Sequence, residues 1–304
     1  MFELINRKLS LKVSFTLALI TLPTMAVAAY FVTAQEQGNL ERLTIDTGKL
    51  SARSGAKMYG AALEAGIDRG LFSLADLIKP NYQEIKGYDF GDKPRFHTNY
   101  DDYTDRVTLG LEDKFLAASS DLIYAVGVDN NGYIPTHNSK ALQPMIGDLV
   151  KDRKTYRSKR KFDNEVELPA ARNLTPLLVQ YYPRDTGERA WDVAAPIFVN
   201  GNHYGGFRVG VSVSSVTVRK HALLLELAAV FGVLFVITIG FIFVMLQRAM
   251  RPLEQITALA NEISTGEGLD KPIKPATTDE VGEMARSLNR LRTSLQSAMA
   301  RLRA

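Results

Sequence analysis

The sequence predicts an α+β protein built into a membrane. A domain with helices first and an antiparallel sheet last lies between two membrane-spanning helices, and two amphipathic helices follow. Three observations carry this. Two apolar runs, 13–32 and 227–246, contain no Asp, Glu, Lys or Arg; each has about the twenty residues that cross roughly 30 Å of hydrocarbon at 1.5 Å rise per residue. Between the runs, helical periodicity gives way to β-rich segments. After the second run, apolar residues recur at alternating spacings of three and four.

The first run follows Arg7, Lys8 and Lys12 and contains Ala26-Val27-Ala28, which resembles a signal-peptidase site. Cleavage is thus the rival to a retained span. The run continues through Tyr30, Phe31 and Val32 into a helical pattern without a break, so it is read as a span over 13–33. Arg248 and Arg251 flank the second span, 222–247. Basic residues collect on the cytoplasmic side. Residues 1–12 and 248–304 are therefore expected inside a bacterial inner membrane and 34–221 outside, against the pull of Arg219 and Lys220.

The chain has 0 cysteines, which rules out disulfides, cysteine-zinc sites and covalently attached c-type haem. Its 37 basic and 33 acidic residues are scattered, without a basic, aromatic-rich patch for nucleic acid.

In the outer segment, Leu40, Leu43 and Ile45, then Ala56, Tyr59, Ala62, Leu63 and Ile67, predict one long helix, or two helices broken near Gly70. The stretch 82–104 reads as ordered loop and 108–119 as a helix. A strand follows over 122–128, then the turn Asp129-Asn130-Asn131-Gly132 and an edge strand at Tyr133-Ile134-Pro135. The runs 177–182, 191–199 and 204–213, joined by Arg184-Asp185-Thr186-Gly187 and Asn200-Gly201-Asn202, predict a meander. Helices before sheet argue for an α+β domain with one main sheet.

This order resembles a Cache domain, a PAS-like extracellular sensor. Phe96-His97-Thr98, the run Asn131-Gly132-Tyr133-Ile134-Pro135-Thr136-His137-Asn138, Ala170-Ala171-Arg172-Asn173, Ala195-Pro196-Ile197 and Gly205-Gly206-Phe207-Arg208 are similar to the outer part of a group of methyl-accepting chemotaxis proteins. The resemblance implies a small extracytoplasmic ligand. Some relatives hold haem through Cys-x-x-Cys-His, which this chain does not contain, and the amino-acid-binding motif of double Cache domains is not evident.

Arg172 and Asn173 precede a strand and suit a carboxylate clamp through the guanidinium fork. Tyr133, Tyr181 and Trp191 wall a pocket or serve the core. His137 and His203 stand in turn-like stretches without a nearby acidic pair, so no metal or cofactor is assigned. The candidate ligand residues are Arg172, Asn173, Tyr133, His137, Tyr181 and Trp191. Arg157, Lys159, Arg160 and Lys161 read as a solvated loop. No spacing suggests a nucleophile elbow or a triad, so no enzyme is expected.

Beyond the second span, Pro252 opens a helix with the seam Leu253, Ile256, Ala260 and Ile263. Gly266 ends it. Pro272 and Pro275 keep the connector from being helical, and Leu269 and Ile273 pin it. Thr278 or Asp279 caps the next helix, whose seam is Val281, Met284, Leu288, Leu291, Leu295, Ala298 and Leu302. Two short helices bury too little surface to stand alone, so a homodimer forming a parallel four-helix bundle is expected.

Arg251-Pro252-Leu253, the glycine before Leu269 and Ile273, and Asp279-Glu280-Val281-Gly282 resemble a HAMP domain. The resemblance implies a relay with two packings, carried by Pro252, Leu253, Ile256, Ile263, Gly266, Leu269, Ile273, Asp279, Glu280, Gly282, Met284, Leu288 and Leu291. It also implies that Glu280 ties the second helix to the start of the first. The seam stays in phase to the last turn, and the expected output is a separate cytoplasmic protein: a kinase, a cyclase or a chemoreceptor-type partner. The alternatives are a membrane adapter sensing a protein partner, and a truncated chemoreceptor modulating intact relatives.

Overall fold

The computed structural model describes residues 9–184, 186–274 and 277–303. Arg7, Lys8, Asp185, Pro275 and the side chain of Leu302, all used above, lie outside the described residues. The chain forms two compact units, Thr33–Leu224 and the combination of Met1–Val32 with Leu225–Ala304.

Helix α1, Leu9–Asp68, is unbroken, and the break after it falls at Gly70, whose φ of +68° suits glycine. A capping box opens α2, Leu74–Ile78: the Ser73 N–H donates to Asp76 Oδ2 at 2.7 Å, and the Asp76 N–H donates back to Ser73 Oγ at 3.3 Å.

The stretch expected to be loop is more ordered than that. It contains the pair β1, Gln83–Glu84, and β2, Phe96–His97, and the start of α3, Asp101–Val107. Thr98 donates to Asp101 from its N–H at 3.0 Å and its hydroxyl at 2.6 Å, which supports this turn without the long apolar seam that marks a helix in sequence. Helix α4 spans Leu109–Ala117.

The main sheet has the order β3, β8, β7, β6, with every pair antiparallel. These strands are β3 Leu122–Asp129, β6 Leu178–Pro183, β7 Arg189–Val199 and β8 Asn202–Ser212. Residues alternate between faces along each strand. On one face Val193, Ala195, Ile197 and Val199 pack with Phe207 and Val209 against Ala52, Ala56, Tyr59 and Leu63 of α1. Gly55 permits this approach, since a Cβ there would lie 2.2 Å from the Phe207 ring. The other face carries Tyr124, Val126 and Val128, covered by Ile134, Phe162, Ala171 and Tyr182.

The edge strand expected at 133–135 is not part of the main sheet. Its residues form β4, Tyr133–Ile134, which pairs with β5, Arg160–Lys161, as a separate ribbon. Gly132 has φ +76°, and a Cβ there would stand 2.1 Å from the Phe162 carbonyl oxygen, so the ribbon closes tightly only over glycine. Helices α5, Leu149–Thr155, and α6, Glu167–Ala171, complete the unit Thr33–Leu224.

Helix α7, Val213–Ser264, begins at the residue after β8 and passes through Pro252. The expectation that Pro252 opens a helix is therefore corrected. A proline deletes one rung of the hydrogen-bond ladder, and a helix of 52 residues tolerates that loss. Both α1 and α7 are long and apolar enough to cross a membrane. Gly266, φ +82°, follows α7. Helix α8, Glu280–Arg303, is capped by Asp279, which accepts from the N–H groups of Val281 at 3.1 Å and Gly282 at 3.2 Å.

Candidate functional site

The β4–β5 ribbon and the main sheet enclose a polar cavity. Tyr124 and Val126 come from β3, Tyr182 from β6 and Arg208 from β8. His137, Arg157, Phe162, Glu167 and Arg184 close it, leaving space for about one water molecule. The floor is an ion pair: Asp192 accepts from Arg208 Nε at 3.1 Å and Nη2 at 3.0 Å, from the Tyr124 hydroxyl at 2.6 Å and from Gln180 at 3.2 Å. Both partners are almost fully buried, so each is held by the other and neither tolerates loss of its mate. Tyr182 donates its hydroxyl to Glu167.

Above the floor, cations gather around His137. The Arg157 guanidinium lies 4.7 Å from the centre of the Phe162 ring and that of Arg184 lies 5.0 Å from the centre of Tyr124. Arg184 also pairs with Glu188 at the rim. The His137 backbone N–H donates to Ser158 Oγ at 2.9 Å, and this fixes the residue. Its ring Nδ1 is buried without a hydrogen-bond partner, as are both polar side-chain atoms of Asn138 and Nε of Arg184. Burial and the neighbouring guanidinium groups of Arg157 and Arg184 push the imidazole pKa well down, so the ring is neutral.

The basic cluster read as a solvated loop is therefore corrected. Arg157, Lys159 and Arg160 are buried. Lys159 adopts φ +62°, a left-handed conformation uncommon for a residue with a side chain. Arg157 and Arg160 stack on Phe162, while Lys159 Nζ reaches Asp105 at 2.8 Å and Asp101 at 3.4 Å. A run of basic letters carries no sign of that turn.

Only His137 of the expected ligand residues lines this cavity. Arg172 is exposed, with Nε donating to the Asn130 carbonyl at 3.0 Å, and Asn173 closes a turn through the Thr175 N–H at 3.0 Å. Tyr133 is a core residue whose hydroxyl donates to the Phe96 carbonyl at 2.9 Å and Asp101 at 2.8 Å. Trp191 packs against the α1-facing core, and Tyr181, its cross-strand partner, is exposed. Arg184 and Arg208 were missed; each stands in or beside a strand, where a charged residue reads as solvent-facing. His203 lies on β8. Among the described residues no group of three His, Asp or Glu is placed to hold a metal ion.

In the second unit, Ile256, Ile263, Ile273 and Ala285 are buried, with Leu259, Leu269, Val281 and Leu288 packed on them. Asn289 Oδ1 accepts from the Ile273 N–H at 3.1 Å and from Arg292 Nε at 3.0 Å, while Arg292 also donates to the Leu269 carbonyl. These bonds staple the connector to α8, and the apolar seam gave no sign of them. Gly282 permits close approach to the Thr277 carbonyl oxygen, 1.9 Å from where a Cβ would stand. Pro252 and Leu253 are half-buried. Met284, Leu291 and Leu295 are 50%, 54% and 39% exposed, so most of the second seam faces away from its own chain. Glu280 is exposed and begins α8, and the capping belongs to its neighbour Asp279.

Residues 244–297 match the HAMP domain family and form a HAMP domain. A HAMP domain at the end of a helix of membrane-spanning character defines a transmembrane signalling protein. The chain is also similar to the ligand-binding domain of the Campylobacter jejuni chemoreceptor Tlp3 in complex with 4-methylisoleucine, at 12% identity and TM-score 0.29, over 64% of each chain. It is similar to the same domain in complex with L-valine at 13% identity and TM-score 0.29, over 66% of this chain and 67% of that one. The chain thus covers 64% of the first of these, under two thirds of its length. No curated protein matches the chain.

Proposed function

We propose that the protein is a dimeric transmembrane sensor without catalytic activity. A small molecule binds the domain between the two spans, and the HAMP domain passes the change to a separate cytoplasmic protein. The supporting observation is the junction of β8 with α7. Arg208 lines the cavity on β8, the strand ends at Ser212, and α7 begins at Val213 and runs into the HAMP region. A shift of that strand has no flexible linker in which to dissipate before it reaches the helix. Two discrete packings of a helical bundle then suffice to transmit it.

The domain limits in this reading are a cytoplasmic 1–12, spans at 13–33 and 222–247, an outer domain over 34–221 and a cytoplasmic 248–304. The orientation rests on Lys12, Arg248 and Arg251 flanking the apolar runs. The exposed part of the α8 seam supports the homodimer, because apolar heptad positions need a facing helix. Deletion of 248–304 should leave ligand-induced thermal stabilisation intact and abolish capture of the cytoplasmic partner from membranes. Partner capture that survives the deletion overturns the relay.

A further inference from the structure

We infer that the carboxyl group of Glu112 holds a proton in the folded protein, and that its loss at alkaline pH loosens α1 from the main sheet. Such a response to pH needs no ligand. Three elements meet at this point. On β3, Gly127 donates its N–H to Glu112 Oε1 of α4 at 3.1 Å. The ring of Tyr59 on α1 lies over the same glycine, where a Cβ would stand 2.3 Å from it. Tyr59 also stacks on Tyr204 of β8, with ring centroids 6.1 Å apart, and tilts against Phe207 with centroids 6.1 Å apart. Glu112 therefore shares Gly127 with the residue that seats α1 on the sheet.

A negative charge is poorly supported here. Glu112 and Tyr59 are both 0% exposed, and Glu112 Oε2 and the Tyr59 hydroxyl are buried without a hydrogen-bond partner. A buried carboxylate is stable as an anion when cations or several N–H groups face it, and this one has a single backbone N–H. The titratable groups around the two side chains are acids and phenols. They are Asp113 on α4, Asp105 and Asp101 on α3, Tyr204 on β8, and beyond it Tyr100 and Asp129. Lys159 is held by Asp105 and Asp101, and His97 by Asp101. No cation pairs with Glu112 among the described residues. Burial pushes the Glu112 pKa well up against the pull of the Gly127 N–H, and Asp113 and Asp105 add to the rise. Burial and Glu112 also raise that of the Tyr59 hydroxyl, so the phenol stays neutral while the acid titrates. The folded state binds this proton more tightly than the unfolded chain. Its contribution to stability is whole below about pH 4 and is lost as pH rises through the folded value. The bare charge then lies beside the Tyr59 contact, and α1 runs unbroken from there back to Leu9.

The test is hydrogen exchange over residues 52–63 of α1, on the full chain in nanodiscs, between about pH 6.5 and about pH 9.5. After division by the intrinsic chemical rates, wild-type exchange should speed up about tenfold across that range. Glu112→Gln keeps the shape of the protonated acid and should show no such rise. Glu112→Met, also uncharged, serves if the Gln variant fails to fold. Asp129→Asn removes the group that titrates near pH 6 and should keep the wild-type rise. Trp191, the 1 tryptophan of the chain, packs against the α1-facing core, so its emission should follow the same pH course. The wild type should also show the infrared carbonyl band of a buried carboxylic acid near pH 7. Wild-type protection that stays constant, a rise kept by an uncharged variant at position 112, a rise abolished by Asp129→Asn, or no acid band overturns the inference.

Discussion

Asp129 ends β3 with its carboxylate in the core, accepting from the N–H groups of Asn131 at 2.8 Å and Tyr133 at 2.9 Å and from the Tyr82 hydroxyl. Burial raises its pKa to about 6, although those three bonds and Lys161 pull it back down. The folded state therefore binds this proton more tightly than the unfolded chain. The associated stability is fully present below about pH 4 and is lost as pH rises through about 6, amounting to about 3 kcal/mol at 1.36 kcal/mol per unit. Asp129→Asn should flatten the thermal midpoint over that window, and an unchanged slope assigns the effect elsewhere. At this scale the sequence is a poor guide to charge. Asp129 reads as an ordinary turn residue and Arg157 as a solvated one, because burial of a charged side chain depends on contacts that no periodicity marks: Tyr82 for the first and the Phe162 ring for the second.

Elements were more legible, for a physical reason. Periodicity is a local property, and it marked α1, α4, β3 and the β6–β7–β8 meander to within a few residues. The short pieces between them, β1, β2 and α3, are held by side-chain bonds such as Thr98 to Asp101 and carry no period. In the HAMP region the seam marked both helices but not the connector staple. Asn289→Ala should release the Ile273 N–H and Arg292 together, costing about 1–3 kcal/mol and accelerating proteolysis of the connector. Asn289→Asp keeps an acceptor and should restore protection; equal cleavage of all three proteins refutes the staple.

For the whole molecule, the cysteine-free sequence makes the proposed parallel dimer directly testable, since an introduced thiol has no competitor. Leu291→Cys should form an intermolecular disulfide in membranes under mild oxidation, and Arg290→Cys, one position off the seam, should form it much more slowly. Comparable rates at the two positions argue against a facing helix at this seam. Near the N-terminal end of α7, Arg219 pairs with Asp121 and Lys220 with Glu41, binding the helix start to β3's approach and to α1. These pairs are partly exposed and individually worth little, about 0–1 kcal/mol each.

By itself the sequence determined the order of parts: apolar run, helices, sheet, apolar run and heptad-patterned helices. Hydrophobic periodicity and span length are sums over neighbours in the chain. Which side chains share a cavity was decided only by the tertiary structure. His137, Arg157, Arg184 and Arg208 come from four separate segments. They converge because the β4–β5 ribbon folds over the sheet at Gly132 and Lys159 turns left-handed between its neighbours. The clamp anticipated at Arg172 and Asn173 lies outside that cavity for the same reason. Adjacency in sequence placed those two residues together, whereas the fold gave Arg172 the Asn130 carbonyl and Asn173 its own turn.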